Sequence, residues 1–285
     1  MHLSWAFVKS RFLVSLVATA ALAACGESAT EPEATTSTQS IQQPAIQQPV
    51  IHDCNLVMGW DPWEPYQYQV TDQDVVGLDV EILTAVLNNA GCNISFRRSN
   101  WTALLNFLQS GEVDVLAGAT QSSGRDQFAW FTDAYRDEEF RLYVTADDPK
   151  DNTSLGIGQL LEAEFRIGVI EGYMYGEAIA ELQNDPRYQD QFIYSSMGET
   201  SIALLLDHKV DGIIEDKFVG AAIIRRKFLA DQISQHPLVL QKTGVRFMVS
   251  RASVDEARFQ MINQSLNQLL ADGHIQELLG HYLNQ

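Results

Sequence analysis

The stretch NWTALLNFLQSGEVDVLAGATQSSGR, Asn100–Arg125, decides how the rest of the chain is read. Its first part reads as a helix capped by Asn100 and stopped by Gly111. The segment EVDVLAG then alternates like a strand entering a core, and it ends at Gly118. A polar turn follows with a single arginine, Arg125. Taken alone, such an arginine is a solvated surface charge. At the carboxyl end of a strand that borders a cleft, it is an anion clamp.

The same rhythm continues on both sides. CNLVMGW (54–60) reads as a strand. LDVEILTAVLNNAG (78–91) reads as a helix, with Val80, Leu83, Val86, Leu87 and Ala90 at helical spacing and Gly91 as its stop. NISFRR (93–98) is a further strand. Beyond Arg125, FRIGVIEG (165–172) reads as a strand, followed by a helix from Tyr173 to about Gln183. SIALLLDHKVDGIIED (201–216) reads as helix, turn, strand. It echoes the opening stretch, with Val210-Asp211 lying over Val113-Asp114. The tail 254–283 gives two amphipathic helices split near Gly273. This alternation predicts an α/β fold with a largely parallel sheet. The echo occurs only twice, so it predicts two lobes of related design rather than a solenoid. In open α/β sheets, ligands sit beyond the carboxyl ends of the strands. Gly118 and Asp216 lie at such ends, one in each half.

Composition narrows the function. The 285 residues are 46% hydrophobic, enough for sizeable cores, and carry a formal charge of −18. That acidity argues against nucleic acid, whose phosphates need clustered Lys and Arg, and against docking on anionic lipid through a basic face. His52, His208, His236, His274 and His281 show no ligand spacing, so neither a metal site nor a cofactor is expected.

The N-terminus reads as a targeting segment. Lys9 and Arg11 precede an apolar run, Phe12–Ala24, too short for a comfortable membrane span. It closes on Leu22-Ala23-Ala24-Cys25, which resembles the lipobox of bacterial lipoproteins. The resemblance implies a signal peptide over 1–24 and a lipid on Cys25. Residues 25–50 are rich in Thr, Ser, Gln, Pro and Glu, lack aromatics, and read as a disordered tether. Cys54 and Cys92 then remain, an even number in an exported, oxidising setting. They fall in neighbouring strands, so a disulfide is expected, with two buried thiols as the alternative.

Four motifs in order carry a wider resemblance: GLDVEILTAVLNNAGC (77–92), NWTALLNFLQSGEVDVLAGATQSSGRDQFAWFTDAY (100–135), KVDGIIED (209–216) and LNQLLADGHIQELLGHYL (266–283). Together they resemble the bacterial extracellular solute-binding proteins of the polar amino-acid type, the receptors of amino-acid ABC importers. The resemblance covers roughly Cys54 to the C-terminus. It implies the two-lobed type II periplasmic-binding-protein fold, with the ligand cleft between lobes and a two-strand hinge formed by RLYVTA (141–146) and GVRFMVS (244–250). Lobe 1 would be 51–144 plus 247–285, and lobe 2 would be 145–246. The C-terminal helices would return to lobe 1.

The resemblance also implies site residues. Arg125 matches the arginine that binds the ligand carboxylate, a task suited to a guanidinium fork. Thr120 supplies donors beside it, and Gly118 a carbonyl toward the ammonium. Asp216 matches the second-lobe acid that pairs with the ammonium; read from sequence alone it is also a helix N-cap before KFVGAAIIRRKF. Trp63 and Trp101 match positions flanking the ligand side chain, with Asp61 as a charge partner for a basic ligand. The chain departs from the family pattern at Gly172-Tyr173-Met174, where hydroxyl residues are usual. Met174 joins the expected site, with backbone N–H groups at a helix start there holding the carboxylate.

The expected function is therefore capture of an amino acid or similar small polar solute outside the cytoplasm, in the periplasm or at the cell surface. The protein would be a lipid-anchored monomer serving an ABC permease, with no chemistry of its own. Two alternatives use the same fold. One is a ligand-sensing lipoprotein. The other is a dehydratase acting on prephenate-like acids, with Glu171 or Glu215 protonating a leaving group.

Overall fold

The computed structural model describes residues 54–71, 74–147 and 155–283. The signal segment, Cys25 and the tether lie outside the described residues. Each predicted strand and most predicted helices are present. In the first half these are β1 Asn55–Trp60, the short pair β2 Tyr68–Gln69 and β3 Val75–Val76, α1 Leu78–Asn89, β4 Asn93–Arg98, α2 Trp101–Ser110, β5 Val115–Ala119 and β6 Ala129–Phe131. Then come β7 Arg136–Thr145, α3 Ile157–Glu162, β8 Ile167–Ile170, α4 Glu177–Asn184, β9 Phe192–Ser195, α5 Gly198–Leu206, β10 Gly212–Asp216 and α6 Lys217–Arg226. The chain closes with β11 Ile233–Ser250, α7 Glu256–Ala271 and α8 His274–Leu283.

The sheet order is β4-β1-β5-β11-β7-β10-β8-β9, with β6 also on β11. β1 pairs in parallel with β4 and β5, and β8 in parallel with β9 and β10. Two parallel half-sheets thus flank a central antiparallel pair. β7 and β11 form that pair over most of their length. β11 runs on to meet β5 through Met248 and Val249, so it belongs to both halves. The two segments expected to cross between the lobes lie on these strands. β7 and β11 are the continuous connection between the half-sheets.

Local signals explain the first half. Asn100 caps α2, its side-chain oxygen accepting from the Ala103 N–H at 2.9 Å, and Gly111 ends the helix at φ 80°. α1 buries Leu78, Val80, Ile82, Leu83, Val86 and Leu87. Each such side chain contributes about 1.5–3 kcal/mol of burial. α7 and α8 pack on α1, and the Ser265 hydroxyl donates to the Val86 carbonyl at 2.7 Å. Cys54 and Cys92, beside β1 and β4, are joined by a disulfide with Cα atoms 4.6 Å apart.

One helix boundary differs from the sequence reading. The helix expected from Tyr173 begins only at Glu177. Gly172 and Gly176 adopt φ 79° and 96°, breaking the helical path on both sides of Tyr173-Met174-Tyr175. Tyr175 turns back, its hydroxyl oxygen accepting from the Ile170 N–H at 2.7 Å. The Tyr173 N–H donates to the Ile170 carbonyl, so this segment is a turn and offers no helix start to an anion.

Candidate functional site

A small cavity of about 20 Å³ lies between the half-sheets, room for little more than a water molecule in this closed form. The loop after β1 contributes Asp61, Trp63 and Gln67, α2 contributes Trp101, and β5 with its following turn contributes Ala117, Gly118, Thr120 and Arg125. β7 adds Glu138 and Phe140. The turn after β8 adds Tyr173 and Met174 from the other side. Six of the seven residues singled out from the sequence as ligand contacts therefore meet here: Trp63, Trp101, Gly118, Thr120, Arg125 and Met174.

Arg125 is 8% exposed. Its Nη1 donates to the Thr120 carbonyl at 2.7 Å and its Nη2 to the Gly172 carbonyl at 2.8 Å. These bonds use two of the five guanidinium N–H groups. Burial pulls its pKa down to about 10, so it is cationic at neutral pH. Gly172 belongs to the opposite half, and its carbonyl also accepts from Trp101 Nε1 at 3.1 Å. Other bonds close the halves: Trp63 Nε1 to Glu215 at 3.3 Å, Tyr66 OH to Asp216 at 3.0 Å, and Tyr173 OH to Asp61 at 3.5 Å. The structure is thus a closed form. Gly118, at φ 67°, leaves no room for a side chain, since a Cβ there would stand 2.7 Å from the Trp63 ring.

The two indoles expected to flank a ligand side chain both touch Tyr173. Its ring meets Trp63 edge-on at 6.2 Å and Trp101 edge-on at 5.8 Å between centroids. Tyr173 therefore supplies a third aromatic wall.

Asp216 is placed differently from the sequence expectation. It is fully buried and does not line the cavity. Its Oδ1 accepts from the Phe218 and Val219 N–H groups and from Tyr66 OH, and its Oδ2 from the Glu139 N–H. The N-cap bonds fall on Oδ1, and Tyr66 and the Glu139 N–H hold the rest of the carboxylate away from the cavity lining. Of the two acids considered for catalysis, Glu171 is exposed and away from the cavity lining. Glu215 lies behind Trp63, accepting from its Nε1 and from the Asp216 N–H.

Behind Gly118, outside the cavity lining, lies a buried ion pair the sequence reading did not find. Arg136 Nε and Nη2 each donate to Asp79 at 2.7 Å, with both side chains fully buried. The guanidinium lies 3.5 Å over the Tyr66 ring and 5.4 Å from the Trp63 ring. It fixes the aromatic loop against β5.

Comparison with known proteins fits this arrangement. The model of bacterial extracellular solute-binding proteins, family 3, matches residues 56–285. The chain belongs to this family. Among its relatives is the probable amino-acid-binding protein YxeM of Bacillus subtilis, 23% identical over 78% of this chain and 80% of that protein. The arginine-, lysine-, histidine-binding protein ArtJ from Geobacillus stearothermophilus shares the fold, with a TM-score of 0.67 at 22% identity over 81% of this chain and 96% of that one. The substrate-binding protein of an amino acid ABC transporter gives 0.66 at 18% identity over 81% and 100%.

Several carboxyl groups are buried around the cleft of this family 3 chain. Burial raises Asp61 to about 6 and Glu215 to about 8, and pushes Glu138 well above the carboxylate range. A raised acid pKa means the folded protein holds the proton more tightly than the unfolded chain does. The stability it brings is complete below the ordinary pKa and is lost as pH rises through the folded value. The ligand-free protein is therefore expected to lose a few kcal/mol between about pH 5 and pH 8.5. Urea midpoints across that range check this, and Glu215→Gln should flatten the slope.

The sequence reading missed Glu138, Gln67 and the Asp79–Arg136 pair. The signal for Glu138 was present in RDEEFRLYV, since alternation puts Arg136, Glu138, Phe140 and Leu142 on one face.

Proposed function

We propose that this family 3 solute-binding protein captures a neutral or basic α-amino acid in the inter-lobe cavity and delivers it to an ABC-type importer. The observation that carries this reading is Arg125, a buried guanidinium in the cavity wall whose anchors come from both halves. A carboxylate seated on it gains charge-assisted hydrogen bonds in a dry site. Contacts from both halves favour the closed form, because only that form supplies them together. Two acids with raised pKa values, Asp61 and Glu138, share the lining with the single Arg125; a cation beside them favours their ionised form, which favours a ligand with an ammonium group over an acidic one. The names of the relatives, which are amino-acid-binding proteins, support the same class. Gly118, Thr120 and Met174 complete the binding wall.

The lipobox-like Leu22–Cys25 supports a lipid-anchored form, with 1–24 removed and 25–50 as tether. Lobe 1 is then 51–144 plus 247–285 and lobe 2 is 145–246, working as a monomer at the outer face of a membrane. A thermal-shift panel of the twenty amino acids tests the reading. At a hundredfold excess over Kd, a true ligand stabilises by about 2.7 kcal/mol. A panel in which no amino acid raises the melting temperature rejects it.

A further inference from the structure

We propose that Glu138, and not Asp216, is the acid that pairs with the ligand's ammonium group. This rests on the amino-acid reading above and assigns the second half of it.

Three observations lead here. Asp216 is held elsewhere: three donors converge on its Oδ1 and the Glu139 N–H on its Oδ2, and it is buried outside the cavity lining. Glu138 is the reverse case. It is 3% exposed, lines the cavity, and accepts no hydrogen bond among the described residues. The nearest cation on its own strand face, Arg136, has Nε and Nη2 committed to Asp79 and Nη1 to the Asp137 carbonyl. Gln67 supplies the third observation. It lines the same cavity, gives its Nε2 to Asp61 at 2.9 Å, and has a buried Oε1 without a partner among the described residues.

Buried acceptors in a protein interior are normally satisfied. An unpartnered carboxylate and an orphaned amide oxygen lining one closed cavity are both acceptors awaiting a donor. An ammonium group offers three N–H donors and a positive charge not already committed to another carboxylate. The register explains why the role has moved. β7 pairs with β10 so that Asp216 lies opposite Phe140, and Glu138 projects from the same face one step beyond the end of β10. It lines the same cavity as Arg125, with which it interacts electrostatically. Burial keeps the Glu138 carboxyl protonated more readily than an ordinary glutamate, so its ionised form is best held when the ligand's positive charge is present.

The test is calorimetry at pH 7.5 with the twenty protein L-amino acids, on the wild type, Glu138→Gln and Asp216→Asn. The expected result has four parts: at least one amino acid binds the wild type; Glu138→Gln weakens that amino acid at least ~100-fold, as loss of a buried charge partner does; the unliganded Glu138→Gln protein melts no lower than wild type, because an unpaired buried acid has gone; and Asp216→Asn keeps its affinity within about 3-fold. If Glu138→Gln binds the amino acid within about 3-fold of wild type, the assignment is overturned while the amino-acid reading stands. If Asp216→Asn loses as much affinity as Glu138→Gln while melting like wild type, the assignment is also overturned. If no amino acid binds the wild type, the amino-acid reading fails and takes the assignment with it.

Discussion

Replacing Arg125 with alanine is expected to abolish amino-acid binding. The ligand carboxylate would still be stripped of water on entering the cavity, but would find no counter-charge there. Removing one partner of such a buried pair typically costs about 2–5 kcal/mol, or roughly 30- to several-thousand-fold in Kd. A second loss adds to it. Arg125 Nη2 holds the Gly172 carbonyl across the cleft, so the alanine variant also loses part of the closed form. Arg125→Lys should not restore binding. An ammonium is a point charge and cannot hold Thr120, Gly172 and a carboxylate in one plane. Calorimetric titration of the three proteins with the amino acid that shifts the wild-type melting temperature checks this. An Arg125→Ala protein that binds within a few-fold of wild type would return Arg125 to the ordinary reading of a surface-derived arginine.

Asp79→Asn is expected to have the largest effect on stability. The Asp79–Arg136 pair is bidentate and wholly buried, and the arginine is packed over Tyr66. Neutralising the aspartate strands a guanidinium in the core, at about 3–5 kcal/mol. Replacing both residues, as in Asp79→Leu with Arg136→Met, should recover most of that loss, because a buried pair is worth little net against apolar side chains of similar volume. Urea denaturation of the single and double variants measures both. The double variant should fold and yet bind poorly. Arg136 and Asp79 also crowd Gly118, with Arg136 Nη2 and Asp79 Oδ2 each 3.3 Å from where its Cβ would be, and they brace the Trp63 loop. Recovery of stability without recovery of affinity would separate the two roles of the pair.

These two variants mark what the sequence made legible and what it did not. Arg125 could be read because it follows a recognisable strand end, Gly118, at the carboxyl edge of a half-sheet. The strand–helix rhythm, the Asn100 cap and the Gly111 stop are local signals, and each reappears in the structure. The crossing of β7 and β11 between the halves followed from the family resemblance rather than from any pattern in those segments. Asp216 shows where local reading stops. Its two sequence roles, helix cap and ammonium partner, compete for the same lone pairs, and only the three-dimensional placement of Tyr66 and the Glu139 N–H shows that the cap has won. The Tyr173 turn was misread for a similar reason. The helix is expected from Tyr173, but the positive φ values of Gly172 and Gly176 interrupt it until Glu177. Arg136 and Glu138 sit in a charged run that resembles a solvated edge. Alternation puts them on one face with Phe140 and Leu142, but that this face is buried depends on β7 being central in the sheet, which is a property of the whole fold.

The central claim is that the cleft recognises an α-amino acid through its carboxylate at Arg125. The most direct measurement is calorimetry of the wild-type protein with the amino acid giving the largest thermal shift, alongside the amine formed by removing its carboxylate. The two ligands share an ammonium group and a side chain. Saturable one-to-one binding of the amino acid, with no measurable binding of the amine, is the predicted result. Equal affinity for the two, or no heat from either, would contradict it.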